Sequence, residues 1–512
     1  METHGRIVIY ANYTEEELLS GTEEEQDAKI LDIINNSIDI HKFNKGQIKY
    51  LQNYLYGIQD IRFKKKLTRT DINNKGVENW AWAFQDWKKA FLLGKPIQYA
   101  PLDNIANEEI AVLNKYMSYE DKDLKDLEIY EDLFTVGRGF RYAKYTPIND
   151  DDEAPFEILN FDVKNTEVVY SSSVRHEQLL TFVETSKQYI IQEVNPETGK
   201  PENIVKNYDE YNVYTRNMKY LIDNKLGKFR VVKKTPIAQN IHLITEYYLN
   251  RRRMGLLEFA KDIFDDINYV ENLDKDDIES FVNSIMVFTN AEVTKEGMEG
   301  IKMFGAVSIK STDQKKATVE LLQSRLKSLD TQIYYLRKIG ALHSILSVPQ
   351  ASNSGEISNA ETGKAMLTGQ GFTSASVRVE TEEKSFKKCD RNALKVILKI
   401  CRNASDSEVK QLKVSNIDIK FSRDLSDNLL VKTQALINLA TANIPPEIRN
   451  SVVGLFSDPV AVTRMQDAFI KEKENIQQQL DEINQKQDNN KNGINSQNNN
   501  IQNTLENQNQ EQ

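Results

Sequence analysis

Two long amphipathic stretches separated by a short β-like segment constrain this chain more than any other feature. In the first, Ala260, Ile263, Ile267 and Val270 step by three and four residues, and Ile278 and Phe281 extend the stripe. That spacing marks one face of a helix. Residues 254–283 therefore predict a continuous rod about 45 Å long at about 1.5 Å per residue. In the second, Leu322, Leu326, Leu329, Ile333 and Leu336 repeat at 4-3-4-3 spacing. This predicts a helix over 317–340 with a packing seam of coiled-coil type. Between the two, residues 285–288 and Val307 with Ile309 read as short strands around Gly297, Gly300 and Gly305. The expected object is a shaft of two helices with a small β cap on its end.

The rest of the chain divides around this shaft. Its 512 residues are enough for about three or four domains. Residues 14–60 read as helical, with Thr14 as N-cap and Glu15 to Glu17 in the first turn. All three tryptophans fall between Trp80 and Trp87. With Phe84 and Phe91 they predict a helix that anchors the N-terminal core and ends at Gly94-Lys95-Pro96. From about 129 to 245 short alternating runs are separated by turn-rich segments such as Asn149-Asp150-Asp151-Asp152, which predicts antiparallel hairpins. Residues 347–359 read as a loop, 360–403 as a long helix interrupted near Gly369 and Gly371, and 417–421 as a strand. Helices follow to about 475, broken at Pro445-Pro446 and Asp458-Pro459. Beyond 476 the chain is rich in Gln and Asn, too poor in apolar residues to offset its ordering entropy, and is expected to be disordered. The fold class expected is α+β, mainly helical.

Motifs for chemistry are missing. The five histidines are scattered singly, and Cys389 and Cys401 form no Cys-x-x-Cys pair. Each reads as an ordinary packed or surface residue. None of the four Gly-Lys pairs is followed by Ser or Thr, so no phosphate loop can place a hydroxyl on magnesium. Gly137-Arg138-Gly139 lacks the third glycine of a dinucleotide fingerprint and reads as a tight turn before a strand. No enzyme activity, cofactor or metal is expected. No apolar run is long enough to span a membrane. The net charge of −10 argues against a protein that grips nucleic acid, yet an acidic wall would let a duplex slide. Two basic clusters stand out, Arg62 with Lys64, Lys65, Lys66 and Arg69, and Arg251-Arg252-Arg253. Each reads either as a solvated face or as a contact with phosphates or an acidic neighbour. The second cluster sits near a helix N-terminus, where cations are disfavoured, and so calls for a partner.

The order of several segments resembles the portal protein family of tailed bacteriophages, in particular members from long-tailed phages of Gram-positive hosts. The matching pieces are Tyr54-Leu55-Tyr56-Gly57-Ile58-Gln59, Phe91 to Ile97, Thr135 to Phe140, and Ile244 to Asn250 followed by Gly255-Leu256-Leu257-Glu258. Pro349 with Gly355, the run Ser358 to Ala365, and Asp458-Pro459 complete the set. The segment 160–240 and the Gln/Asn tail depart from the family pattern.

The resemblance implies a wing over 1–245 to which strand 417–421 returns, stem helices over 254–283 and 317–340, and a clip over 284–316. It further implies a tunnel loop over 345–359, a long helix over 360–403 leading back to the wing, and a helical crown over 426–475. It implies a homo-oligomeric ring, usually of twelve subunits, at one capsid vertex of the virion, assembled in the host cytoplasm. Its implied partners are double-stranded DNA, the terminase packaging ATPase, the head–tail connector, and the major capsid and scaffolding proteins. Gln350, Asn353 and Ser354 would face the DNA, and Lys310, Lys315, Lys316 and Arg325 are candidates for phosphate contact. A competing reading is a cytoplasmic scaffold or adaptor with a coiled-coil hairpin and a disordered tail. It explains the 4-3 seam but not the ordered set of segments.

Overall fold

The computed structural model describes residues 5–67, 70–102, 107–150, 153–194, 201–282, 285–289, 291–292, 310–311, 318–322, 328–349, 372–422, 429–453 and 462–477. The protein is α+β and mainly helical, in two units, Met1–Phe421 and Ser422–Gln512.

The first unit opens with β1 (Ile9–Ala11), α1 (Glu15–Leu19) and α2 (Glu23–Leu55). Both helices begin at a threonine whose hydroxyl accepts from the amide three residues on, while Glu17 or Glu25 reaches back to the cap amide. Next come α3 (Trp80–Leu93), β2 (Gln98–Pro101), α4 (Asn107–Tyr119), α5 (Lys122–Val136), β3 (Arg138–Tyr145), β4 (Phe156–Phe161) and β5 (Thr166–Ser171). Then follow β6 (Gln178–Val194), β7 (Pro201–Tyr214), β8 (Met218–Asp223), β9 (Arg230–Pro236) and β10 (Ile244–Tyr248).

Strands β1-β5-β6-β7-β8-β9 form one sheet, antiparallel except for the β1–β5 pair. Helix α2 covers it, burying Ile30, Ile33 and Ile34 against Phe182, Tyr211 and Ile222. A second sheet, β10-β3-β4, lies in the larger core. There the α3 helix contributes Ala81, Phe84, Leu92 and Leu93 as its buried residues. The tryptophans are not the anchor that their clustering predicts. Trp80 and Trp87 are only partly buried, and Trp82 is 49% exposed. They occupy the edge of the face whose centre is Phe84.

The large core also contains a closed set of charges. Arg141, 1% exposed, meets Asp126 at 2.6 Å, and Lys122 meets the same carboxylate at 2.6 Å. The Tyr99 and Tyr247 hydroxyls donate to Asp390 at 2.8 and 2.9 Å. Buried ions are tolerated only when paired in this way. The cluster joins α5, β3, β10 and β2 to a later helix, α8 (Phe372–Asn403). The closing strand of the first unit, β15 (Ile417–Lys420), pairs antiparallel with β2, Ile419 opposite Tyr99.

Candidate functional site: the paired helices

Two helices carry the shaft, α6 (Leu256–Val282) and α7 (Ser328–Leu346). The start of α6 is fixed by a close backbone crossing. Gly137 ends α5 with φ +78°, and a Cβ there would lie 2.4 Å from the Met254 carbonyl carbon. A Cβ on Gly255 would lie 2.4 Å from the Thr135 oxygen. Glu258 in the first turn then accepts from the Gly255 amide at 2.8 Å and the Gly5 amide at 3.2 Å. It also pairs with Arg6, both side chains fully buried.

Along α6 the buried face changes character. The first half buries Leu257, Ala260, Phe264 and Ile267, with Ile263 packed at the margin and Val270 half-buried. The second half buries Asn268, Asn272 and Asp276. Their partner is the extended segment 72–79. The Glu78 amide donates to Asn268 Oδ1 at 2.8 Å, the Gly76 amide to Asn272 Oδ1 at 2.6 Å, and the Asn74 amide to Asp276 Oδ1 at 2.7 Å. The match is geometric. Four helix residues rise about 6 Å, and two extended residues about 6.6 Å, so each fourth side chain meets each second amide.

Asp276 also receives Lys64 at 3.0 Å and Lys66 at 3.3 Å. Burial alone would raise its carboxyl, but the Asn74 amide and the two ammonium groups outweigh burial and hold it down at about 2. The first basic cluster thus finds its acidic partner within the same chain. The second cluster is split. Arg253, held at φ +49°, pairs with Glu246 at 2.9 Å and lies 4.5 Å over the Tyr248 ring, whereas Arg251 and Arg252 are exposed.

Helix α7 packs on α6 through Ile339, Leu342 and Leu346, with Lys338 reaching Asp266 at 2.5 Å and the Tyr335 hydroxyl donating to Glu78 at 2.8 Å. The predicted seam is displaced. Helix α7 begins at Ser328, not at 317, and Leu322 lies in a strand. Strand β14 (Thr318–Leu322) pairs with β11 (Ile285–Thr289), Leu322 opposite Ile285. Thr318 and Val319 are β-branched and face an Ile/Val/Phe/Thr partner strand, which favours extended pairing over one more helical turn. Ile333 and Leu336 are 63% and 53% exposed rather than packed against α6. Leu329 is in α7, its side chain outside the described residues, and Leu326 lies outside them altogether.

Of the proposed DNA contacts, Lys310 opens β13 (Lys310–Ser311), opposite Glu292 of β12 (Ala291–Glu292). Lys315, Lys316, Arg325, Gln350, Asn353 and Ser354 lie outside the described residues, as do most of the predicted loop and the tail beyond 477. The interruption expected near Gly369 and Gly371 also lies outside them, and from Phe372 to Asn403 α8 is continuous. Sequence reasoning missed the polar half of α6. Its one signal is the four-residue spacing of Asn268, Asn272 and Asp276, in phase with Ala260 and Phe264.

A profile of the phage portal protein family, SPP1 Gp6-like, matches residues 34–487. The chain belongs to this family. No curated relative matches it. Membership makes it a bacteriophage portal protein, a structural component of the capsid vertex. Among the described residues of this portal, no group of His, Cys, Asp and Glu is placed to hold a metal ion. No described helix is long and apolar enough to cross a membrane. Both cysteines are buried, and burial pushes each thiol up to about 12.

Proposed function

We propose that copies of this portal close into a ring, twelve in the usual case, with the paired helices α6 and α7 arranged around a channel for double-stranded DNA. DNA would enter through it during packaging, driven by a separate terminase ATPase, and leave through it at ejection. Residues 284–316 would dock the ATPase and later the head–tail connector, and the first unit would meet the capsid and scaffolding proteins.

One observation carries the ring. Each paired helix buries one face within the chain and leaves a second apolar face in water: Phe259, Tyr269 and Leu273 on α6, Ile333 and Leu336 on α7. Asp262 is exposed beside the first face and Arg337 beside the second. A Cβ on Gly340, in the same face of α7, would meet nothing within 4 Å. Two different, charge-complementary faces on one chain suit head-to-tail contact, which closes into a ring when the rotation allows.

Mass measurement and negative-stain electron microscopy of the purified chain test this. The expected particle is a ring with an opening wide enough for a duplex. Leu336→Asp should yield monomers with unchanged circular dichroism. Rings that survive Leu336→Asp would remove α7 from the subunit interface, and a wild-type chain that stays monomeric would defeat the reading.

A further inference from the structure

The C-terminal helices α9 (Leu429–Thr441), α10 (Pro446–Val453) and α11 (462–477) are built inside out. On α10 the fully buried residue is Asn450, whose amide donates to the Thr463 hydroxyl and to the Gln466 oxygen on α11, both at 3.1 Å. Ile448 and Val452 stand one turn apart on the opposite side of α10, 53% and 69% exposed. On α11, Met465, Phe469 and Ile476 step by four and seven residues, so they share one face, 71%, 67% and 52% exposed. Helix α9 adds Ile437 at 63%. Among the described residues of this unit, Asn450 and Thr463 are buried and no apolar side chain is. Short helices owe most of their stability to an apolar face packed on a neighbour. Here the faces in contact are polar and the apolar faces are wet, which marks the latter as contact surfaces.

We propose that these apolar faces are covered by the same helices of neighbouring copies, so that the C-terminal helices gain a core only on assembly. This rests on the ring reading above. Three features favour a second copy as occupant. The α10 face and the α11 face are different surfaces, so one can meet the other head to tail around a ring, without the two-fold self-matching of a dimer. Beside the α11 face, Lys471, Glu472, Lys473 and Glu474 alternate in sign, so the rim suits another copy of itself rather than a strongly charged partner. Every copy in a ring brings both faces in equal number.

Hydrogen exchange on the full chain tests this, comparing the ring with the monomer obtained by dilution or by Leu336→Asp. Amides of 446–453 and 462–477 should exchange about a hundred-fold more slowly in the ring, while those of α2 stay unchanged. Phe469→Asp in the assembled chain should abolish that difference. Equal protection in ring and monomer would mean that the chain covers these faces itself, and equal lack of protection that nothing does. Either result overturns the inference. A wild-type chain that forms no ring defeats the ring reading as well, whereas a ring with unprotected C-terminal helices defeats this inference alone.

Discussion

The first unit and the C-terminal helices use the same residue types in opposite ways. In the first unit Phe264, Phe84 and Tyr247 are buried, and the ions among them, Arg141, Asp126 and Asp390, are paired. In the C-terminal unit Phe469, Met465 and Val452 face water, and an asparagine holds the centre. One region is finished within a single chain, and the other is not. For an assembly subunit the difference shows where a single chain stops being the folding unit.

The contrast breaks most readily at its closed end. Arg141→Met leaves Asp126 and Asp390 buried with Lys122 as their main counter-charge. It should cost about 3–5 kcal/mol, the usual price of stripping one partner from a buried ion cluster. Because all three tryptophans lie in α3, their fluorescence in a urea titration reports the first unit alone. A loss under about 1 kcal/mol would show that the cluster is solvated and that this core is not closed. Next in size is Phe264→Ala, which removes a side chain seated against Phe84 at 6.2 Å and should cost about 3–4 kcal/mol by the same readout.

A smaller effect sharpens the boundary between the apolar and polar halves of α6. The Asp276 carboxyl is held down, so its contribution is complete above the unfolded value near 3.9 and is lost as the pH falls through about 2. The contribution should be about 1–2 kcal/mol. Asp276→Asn should remove that acid leg of the stability profile and weaken the hold of Lys64 and Lys66 at neutral pH. An unchanged acid leg would mean that segment 72–79 is not held by charge.

What the sequence shows and hides follows the same line. Apolar periodicity reveals α6 from Ala260 to Ile267, because those residues pack on apolar neighbours within the chain. It is silent about Asn268, Asn272 and Asp276, which are buried on backbone amides that no hydropathy pattern encodes. It misplaces the start of α7, because Leu322 fits a 4-3 repeat and a strand equally well and only the partner β11 decides between them. The pairing of Lys64 and Lys66 with Asp276 spans some two hundred residues of chain, beyond any local reading. The stripe at Ile333 and Leu336 is legible as apolar, but its partner is not in this chain.

The smallest expected effect is the most telling. Phe469→Ala replaces a side chain that is 67% exposed, so in the free monomer it should change stability by under about 0.5 kcal/mol. The same substitution at Phe264 costs several times more. The two differ in whether a neighbour already fills the space around the ring, since the transfer and cavity costs arise only where apolar atoms leave packed surroundings. Calorimetry of both variants at a concentration where the chain is monomeric makes the comparison directly. Repeating it on assembled rings should raise the cost of Phe469→Ala toward that of Phe264→Ala while leaving the latter where it was. If Phe469→Ala already costs as much in the monomer, the C-terminal helices have a core of their own, and the distinction between a finished and an unfinished region fails.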